Sequence, residues 1–156
     1  YFNKSQKEKF DKYTDTLLYL AARNEHVKNK IIPALKNKKV VICDRFIDST
    51  IAYQVYGKNV NIKFINSIHK KILNGIKPDL NIILKVSPNA SRKRLIKRKS
   101  KNRYDNFKQT FYNKAQSAFL NIAKNKKNYF IFESSKNNSD VEKKICNIVL
   151  KYLKVK

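Results

Sequence analysis

Apolar positions along the chain follow two different rhythms, and each rhythm predicts one kind of element. Three short runs are continuously apolar, partly β-branched or aromatic, and flanked by charged or turn residues: Val40–Cys43, Asn81–Val86 and Tyr129–Phe132. Such runs are typical of strands that are buried on both faces of a parallel sheet. We therefore predict strands at about 39–44, 81–86 and 129–134.

Longer stretches with apolar residues at spacings of three and four lie between these runs and predict helices. The predicted helices are Thr14–Leu35, Asn61–Ile76, Pro88 to about Lys99, Tyr104–Asn125 and Asp140–Leu153. Strands alternating with long helices indicate an α/β layered domain with right-handed crossovers. The chain shows no internal repeat and no linker, so residues 1–156 are expected to form a single domain.

Charge changes this picture most. The 156 residues include 36 Lys and Arg against 11 Asp and Glu, a formal net charge of +25. Such a field attracts phosphates of every kind, including nucleotides, nucleic acids and anionic membranes. Because the excess is almost all lysine, and Asn, Ile, Tyr and Phe are also plentiful, an AT-rich genome explains much of it. We favour solvated lysines over a direct nucleic-acid role.

Other features of the composition narrow the class of protein. Hydrophobic residues make up 42% of the chain, which excludes intrinsic disorder. No apolar run approaches the roughly 20 residues of a membrane span, so we expect a soluble, cytoplasmic protein. Cys43 and Cys146 have no metal-ligand spacing and are expected to be buried, reduced thiols. His26 is expected to pack within its helix, and His69 to be exposed beside two lysines.

The segment Val40–Gln54 carries the most informative chemistry. Its apolar run leads directly into Asp44 and Arg45, and ligands of open α/β sheets bind beyond the carboxyl ends of strands. The planar fork of arginine suits a phosphate. A neighbouring carboxylate can hold the guanidinium or assist the water shell of a magnesium ion. For the Asp-Arg pair alone, an ordinary strand-end ion pair is an equal alternative.

The same segment resembles the thymidylate kinases, which carry Asp-Arg-Tyr and then Ser-Thr-x-Ala-Tyr-Gln after a strand. Here the corresponding residues are Asp44-Arg45-Phe46 and Ser49-Thr50-Ile51-Ala52-Tyr53-Gln54. Further matches occur in the family's order: Tyr19, Arg23, Glu25-His26-Val27, Ile32-Pro33-Ala34-Leu35 and Lys77-Pro78-Asp79-Leu80. Several spaced motifs agree, and together they cover essentially the whole chain.

The resemblance implies a P-loop nucleoside-monophosphate-kinase-like fold with three layers around a parallel sheet. It implies phosphoryl transfer from ATP to dTMP, giving dTDP for dTTP synthesis, with Mg²⁺ accompanying ATP. It also implies a homodimer without membrane or specific nucleic-acid partners. Two alternatives stay open: a non-catalytic, lysine-rich nucleic-acid-binding module on a kinase-like scaffold, and another nucleoside or nucleotide kinase. The Ser-Thr-x-Ala-Tyr-Gln run favours a kinase that acts on dTMP over a kinase that acts on another nucleoside or nucleotide.

The resemblance also implies a dTMP site. In that site Tyr19 stacks on thymine, as an aromatic face can, and Arg23 donates to a base carbonyl or organises the phosphate. Arg45 binds the phosphate, and Tyr53 packs where a 2′-hydroxyl would otherwise fit. The complete implied set, in which Thr50 and Gln54 read the base edge, is Tyr19, Arg23, Arg45, Ser49, Thr50, Tyr53, Gln54 and Tyr104.

A second basic stretch, at about 92–106, resembles the family's lid. Arginines on a closing lid can neutralise charge on the transferred phosphoryl group and exclude water, although a solvated helix face or a nucleic-acid patch are other interpretations. The implied catalytic set is Asp44, Arg45, Arg94, Arg98 and Arg103. More weakly, Arg94, Ser134, Ser135 and Lys136 are assigned to ATP. The family's Asp-Arg-x-Glu reads Asn102-Arg103-Tyr104-Asp105 here, so one carboxylate is lost and another is shortened.

The sequence contains no G-x-x-x-x-G-K-[ST] phosphate loop, and its only glycines are Gly57 and Gly75. Without that loop the triphosphate of ATP has no cradle. In the family the loop follows the first strand, so the loop and the first two strands would lie before Tyr1. Because the chain also lacks methionine, we expect a domain truncated at its N-terminus.

Overall fold

The computed structural model describes residues 10–97, 107–135 and 139–154. The chain divides into two compact units, which are described separately. The first comprises Tyr1–Lys77 and Phe107–Ile122, and the second comprises Pro78–Asn106 and Ala123–Lys156. The expectation that residues 1–156 form one domain stays a prediction.

The first unit opens with a long, nearly continuous helix. Helix α1, Lys12–His26, begins at Asp11, whose carboxylate accepts a hydrogen bond from the backbone N–H of Tyr13 at 2.8 Å. A π-helical turn, Val27–Ile31, connects it to α2, Ile32–Lys36. Pro33 explains the wide turn, because its ring clashes with the carbonyl four residues earlier and it has no N–H to donate.

Three further helices belong to this unit. Helix α3, Ile47–Thr50, continues as a π-helical segment, Ile51–Gly57. Helix α4, Ile62–Ile72, is capped by Asn61, whose side chain accepts a hydrogen bond from the backbone N–H of Lys63. Helix α6, Gln109–Ala123, lies in this unit as far as residue 122. The helix predicted at Thr14–Leu35 is confirmed and is slightly longer, from Lys12 to Lys36. The helices predicted at Asn61–Ile76 and Tyr104–Asn125 are confirmed over Ile62–Ile72 and Gln109–Ala123, whereas α3 and its extension were not predicted.

Two apolar clusters hold the first unit together. Val27, Ile31 and Leu73 form one, against which Val41 and Phe46 pack. The other consists of alanines at positions 52, 115 and 118, with two aromatic rings packed on them. Gly57 lies directly against the ring of Phe111 and has no room for a Cβ, so α6 approaches the π-helical segment closely.

The second unit contains the sheet. Strands β1, Asn81–Lys85, and β2, Tyr129–Glu133, pair in parallel with Asn81 opposite Tyr129 and Lys85 opposite Glu133. Each strand leads into a helix: β1 into α5, Pro88–Lys97, and β2 into α7, Ser139–Lys154. Two of the three predicted strands, the helix opening at Pro88 and the last helix are therefore confirmed.

The predicted strand at about 39–44 is not formed. Residues 39–43 have no regular secondary structure, and the side chains of Val40 and Ile42 are 62% and 91% exposed. A strand requires a neighbour to accept and donate its backbone hydrogen bonds. The sheet of the described residues pairs only β1 with β2. Val41 instead packs on the cluster around Leu73, so the prediction of a strand buried on both faces was wrong, and Val41 alone of the two valines is packed against the core.

Candidate functional site

The backbone turns sharply at Arg45, where the unpaired segment enters α3. Arg45 has φ of 65°, the left-handed region, which costs a non-glycine residue about 1–2 kcal/mol. Its exposed side chain lies against Tyr53: Nη1 donates to the Tyr53 hydroxyl at 3.0 Å, and the guanidinium carbon is 5.2 Å from the ring centroid. Strained residues of this kind concentrate at binding sites, and here the strain holds a cationic fork at the surface.

Arg23, near the end of α1, is the second arginine of this region. Its Nη2 donates to the Thr50 hydroxyl at 2.8 Å, and its guanidinium carbon lies 4.9 Å from the centroid of the Phe46 ring. Burial lowers the pKa of Arg23, and the neighbouring Cys43 partly opposes that effect. Arg23 still carries its charge at neutral pH, so a poorly hydrated cation faces the predicted site.

Thr50 and Gln54 share one face of the helical segment. They are four residues apart and only 2% and 3% exposed, whereas Ser49 beside them is half-buried. Polar side chains this deeply buried require hydrogen-bond partners, and Thr50 has one in Arg23. The predicted base-reading residues therefore line the interior of the first unit rather than its surface.

The ring of Tyr53 is fixed by α6. Its centroid lies 5.8 Å from that of Phe111 and 6.0 Å from that of Phe119, the latter nearly perpendicular. Aromatic pairs favour such offset and edge-on arrangements. Tyr19, one helical turn before Arg23, keeps 40% of its surface exposed. The exposed Asp44 precedes Arg45, so both lie at the entrance to α3.

In the second unit, Arg94 and the serines after β2 come together. Arg94 Nη2 donates to the Ser134 carbonyl oxygen at 2.6 Å, and the Ser135 hydroxyl accepts from the Ser87 N–H at 2.7 Å. The same hydroxyl donates to the Glu133 carboxylate, and this bond lowers the pKa of Glu133. Arg94, Ser134 and Ser135, which the resemblance assigns to ATP, therefore lie together where β2 ends. Their role in binding ATP stays a prediction.

Four predicted site residues lie outside the described residues: Arg98, Arg103, Tyr104 and Lys136. The predicted lid at about 92–106 is therefore described only as far as Lys97. Within residues 10–97, 107–135 and 139–154, no group of three or more His, Cys, Asp or Glu side chains could hold a metal ion.

The histidines lie opposite to expectation. His69 is buried, with 5% of its surface exposed, and burial first and Arg23 second lower its pKa to about 4. His26 is exposed. The missed signal was periodicity: His69 falls four residues after Ile65 and four before Leu73, and both of these are core residues. The adjacent lysines suggested a solvated position, but they lie on other faces of α4.

The expectation of buried thiols also needs correction. Cys146 on α7 is exposed, and Cys43 is half-buried. Burial raises the pKa of Cys43, which Asp44 raises further and Arg23 lowers. The exposure of Cys146 follows from its place on the outward face of a helix. No helix of the described part of the chain is both long and apolar enough to cross a membrane.

Comparison with known proteins assigns the chain to one family. A family model described as thymidylate kinase matches residues 2–145. Thymidylate kinase of Wolbachia sp. subsp. Brugia malayi is 42% identical over 147 residues, which span 92% of this chain and 69% of that protein. That of Mycoplasmoides gallisepticum is 35% identical over 144 residues, with 92% and 69% covered.

A solved structure has the same fold. The crystal structure of thymidylate kinase from Ehrlichia chaffeensis superimposes with a TM-score of 0.70 at 27% identity, covering 95% of this chain and 71% of that one. This likeness confirms the P-loop kinase-like α/β fold class. The motifs, the family model and the curated relatives agree over about nine tenths of the sequence. The chain belongs to the thymidylate kinase family.

Proposed function

We propose that the gene product transfers the γ-phosphoryl group of ATP to the 5′-phosphate of dTMP, giving dTDP for dTTP synthesis. Membership of the family supports the reaction. The observation that carries its assignment to named residues is a pair of anchored arginines in the first unit. Arg23 is held by Thr50, and Arg45 is held by Tyr53.

Arg23 serves the base end of dTMP. Its bond to Thr50 favours the base carbonyl over the phosphate as its target, because Thr50 and Gln54 are assigned to the base edge. Thymine presents an acceptor oxygen at position 4, whereas cytosine presents an amino donor there. A buried donor would be left unpaired by cytosine, which is a strong basis for discrimination. Tyr19 supplies an exposed ring on which thymine stacks.

Arg45 serves the phosphate end. Its exposed fork can donate two parallel hydrogen bonds to the dTMP phosphate, and Ser49 offers a further hydroxyl nearby in sequence. Phe111 and Phe119 fix the ring of Tyr53. In the proposed complex this ring packs against the deoxyribose, where a 2′-hydroxyl would otherwise fit. Since phosphoryl transfer depends mainly on positioning and charge neutralisation, a fixed cation here contributes directly to the reaction.

The ATP side involves the second unit. Arg94, with Arg98 and Arg103 of the lid, neutralises charge on the transferred group, and Ser134, Ser135 and Lys136 line the nucleotide. Mg²⁺ is held in enzymes of this kind by one or two carboxylates together with substrate phosphates. The exposed Asp44 fits an indirect contact of that sort. We further propose a cytoplasmic homodimer as the working form.

ATP also requires a phosphate-cradling loop, and residues 1–156 contain no G-x-x-x-x-G-K-[ST]. Sequencing the coding DNA upstream of Tyr1 in the same frame tests whether the gene supplies it. A strand followed by that motif is the expected result. A start codon close to Tyr1 with no such motif would contradict ATP binding in this manner and would favour the nucleic-acid-binding alternative.

Arg45→Ala in the full-length gene product tests the site. We expect dTMP phosphorylation in a coupled ADP-release assay to be abolished, because the phosphate loses its bidentate partner. Lys38→Ala is the matched control: Lys38 is also an exposed cation at a left-handed position, with φ of 55°, but it lies outside the site. Near-normal turnover by Arg45→Ala would overturn the role of Arg45. A substrate panel of dTMP, dUMP, dCMP and thymidine separates this reaction from those of other nucleotide kinases.

A further inference from the structure

A buried histidine that has no part in the dTMP site described above faces Arg23. His69 lies on α4 between Ile65 and Leu73, each one helical turn away and each in the core. Leu73 packs against Val27, which follows Arg23 by one turn of α1. An aromatic pair nearer the start of both helices shows that α1 and α4 run in the same direction. This places His69 beside the turn of α1 that carries Arg23, and the charge of Arg23 acts on His69.

Arg23 and His69 have complementary unmet hydrogen-bonding needs. Arg23 Nε and His69 Nε2 are both buried, and neither has a hydrogen-bond partner among the described residues. Arginine Nε–H can only donate, whereas Nε2 of a neutral imidazole accepts when the proton is on Nδ1. His69 is neutral at pH 7, because burial and the nearby Arg23 lower its pKa to about 4. It therefore does not repel the guanidinium.

We propose that His69 is a positioning residue for Arg23: its Nε2 accepts a hydrogen bond from Arg23 Nε when dTMP is bound. This inference rests on the proposed function of the site. Arg23 Nη2 is already fixed on Thr50, and its guanidinium lies over Phe46. A second fixed point at Nε sets the plane of the guanidinium, and so aims its remaining donors at the base. Hydrogen bonds weaken steeply as they lose alignment, so a loosely held plane would read the base poorly.

The first test replaces the acceptor. In the full-length gene product, His69→Phe fills a similar volume but accepts no hydrogen bond, and we expect KM for dTMP to rise about tenfold or more. The value of kcat should change by less than about twofold, because the ATP side is untouched. His69→Gln places an amide oxygen near the position of Nε2 and should restore most of the affinity. His26→Phe, the same change at an exposed histidine, is the matched control and should leave KM unchanged.

Base selectivity separates positioning from mere packing. His69→Phe should lower the ratio of kcat/KM for dTMP to that for dCMP about tenfold, since an unaimed Arg23 no longer distinguishes the two bases. A purely structural role would lower both values alike. Arg23→Lys keeps the charge and removes the Nε–H, so adding His69→Phe to it should change KM by less than about twofold.

Each outcome decides the matter. If His69→Phe does not fold, His69→Leu takes its place, because leucine suits a helix position between Ile65 and Leu73. Wild-type KM and selectivity in a folded variant without an acceptor at position 69 would overturn the positioning role while the dTMP site stands. Failure of the unsubstituted protein to bind dTMP in calorimetry would contradict the proposed function, and this inference with it.

Discussion

At the residue scale, Arg45 and Arg23 each have a feature that costs free energy. Arg45 keeps a strained backbone, and Arg23 gives up much of its hydration. Neither arrangement benefits stability by itself. Both become intelligible if the guanidinium groups must meet a ligand in a fixed geometry, since preorganised charges lose little on binding.

His69 makes a prediction about pH and stability. Its pKa in the folded protein, about 4, lies below the ordinary value of 6.5. Between these pH values His69 is therefore protonated in the unfolded chain but neutral in the folded protein. The free energy of unfolding is therefore unaffected by the protonation of His69 above about pH 6.5. It decreases as the pH falls from 6.5 towards 4, by at most about 3 kcal/mol in total.

Urea unfolding at pH 5 and pH 7 measures this effect. The free energy of unfolding should fall more steeply for the unsubstituted protein than for His69→Phe, because the variant lacks the titrating group. His26→Phe should behave as the unsubstituted protein does. Parallel pH dependence in the unsubstituted protein and His69→Phe would show that His69 does not couple to folding.

The sequence correctly indicated that some of the predicted site residues lie together and wrongly indicated that His69 is exposed, and the difference has a physical reason. Arg23, Arg45 and Thr50 stand in spaced motifs, and the structure brings Arg23 to Thr50 as a shared site requires. His69 was misplaced because adjacent lysines were weighed above helical periodicity. The electrostatic interaction between Arg23 and His69 joins residues 46 positions apart on two helices, and no local pattern encodes which helix faces which.

At the element scale, local pattern predicted the long helices and the two strands that pair with each other, but it also predicted a strand that has no partner among the described residues and missed a short helical segment. The helices α1, α4 and α7 have clear periodicity, and α1 and α4 begin at capping side chains, Asp11 and Asn61. The run at 40–43 is apolar enough for a strand, but a strand also needs a partner, which a pattern cannot supply. The helical segment Ile47–Gly57 was missed because Asp, Ser and Thr in its first turn are weak helix formers.

The loop after that segment is tied to α1 by an ion pair. Asp15, 1% exposed, accepts from the Lys58 ammonium, which also lies 5.5 Å from the centroid of the Phe107 ring. Burial lowers the pKa of Lys58, and the Asp15 carboxylate lies against its ammonium. We expect Asp15→Ala to lower the free energy of unfolding by about 3 kcal/mol, since it removes the carboxylate that neutralises a half-buried cation.

Urea denaturation of Asp15→Ala against Lys28→Ala, an exposed cation of the same long helix, measures that loss. Replacing both partners, as Asp15→Leu with Lys58→Met, should recover most of it, because well-packed apolar residues need no counter-charge. If the double variant is as unstable as Asp15→Ala, the ion pair stabilises the protein by holding the loop conformation, and not only by neutralising the charge of Lys58.

At the scale of the whole molecule, the net charge of +25 allows two interpretations. The field attracts any phosphate, so charge alone does not distinguish a nucleotide kinase from a nucleic-acid-binding module. What distinguishes them is how the cations are held. Arg23 and Arg45 are fixed by hydrogen bonds to neighbouring side chains, as recognition of one small ligand requires. Nucleic-acid binding by lysines requires only their charge.

Salt dependence tests this difference. We expect dTMP binding to be saturable at about 150 mM salt and lost in Arg45→Ala. Single-stranded oligonucleotides should bind only non-specifically, with Kd in the range of about 10⁻⁴ to 10⁻⁶ M, and should be released as salt rises, because each neutralised phosphate returns a counterion. Calorimetry measures the binding of dTMP, and fluorescence anisotropy over a series of salt concentrations measures the binding of oligonucleotides. Tight oligonucleotide binding at 150 mM salt, by a protein that does not bind dTMP, would establish the nucleic-acid-binding module instead. Saturable dTMP binding together with weak oligonucleotide binding would assign the lysines to the solvated surface of an enzyme.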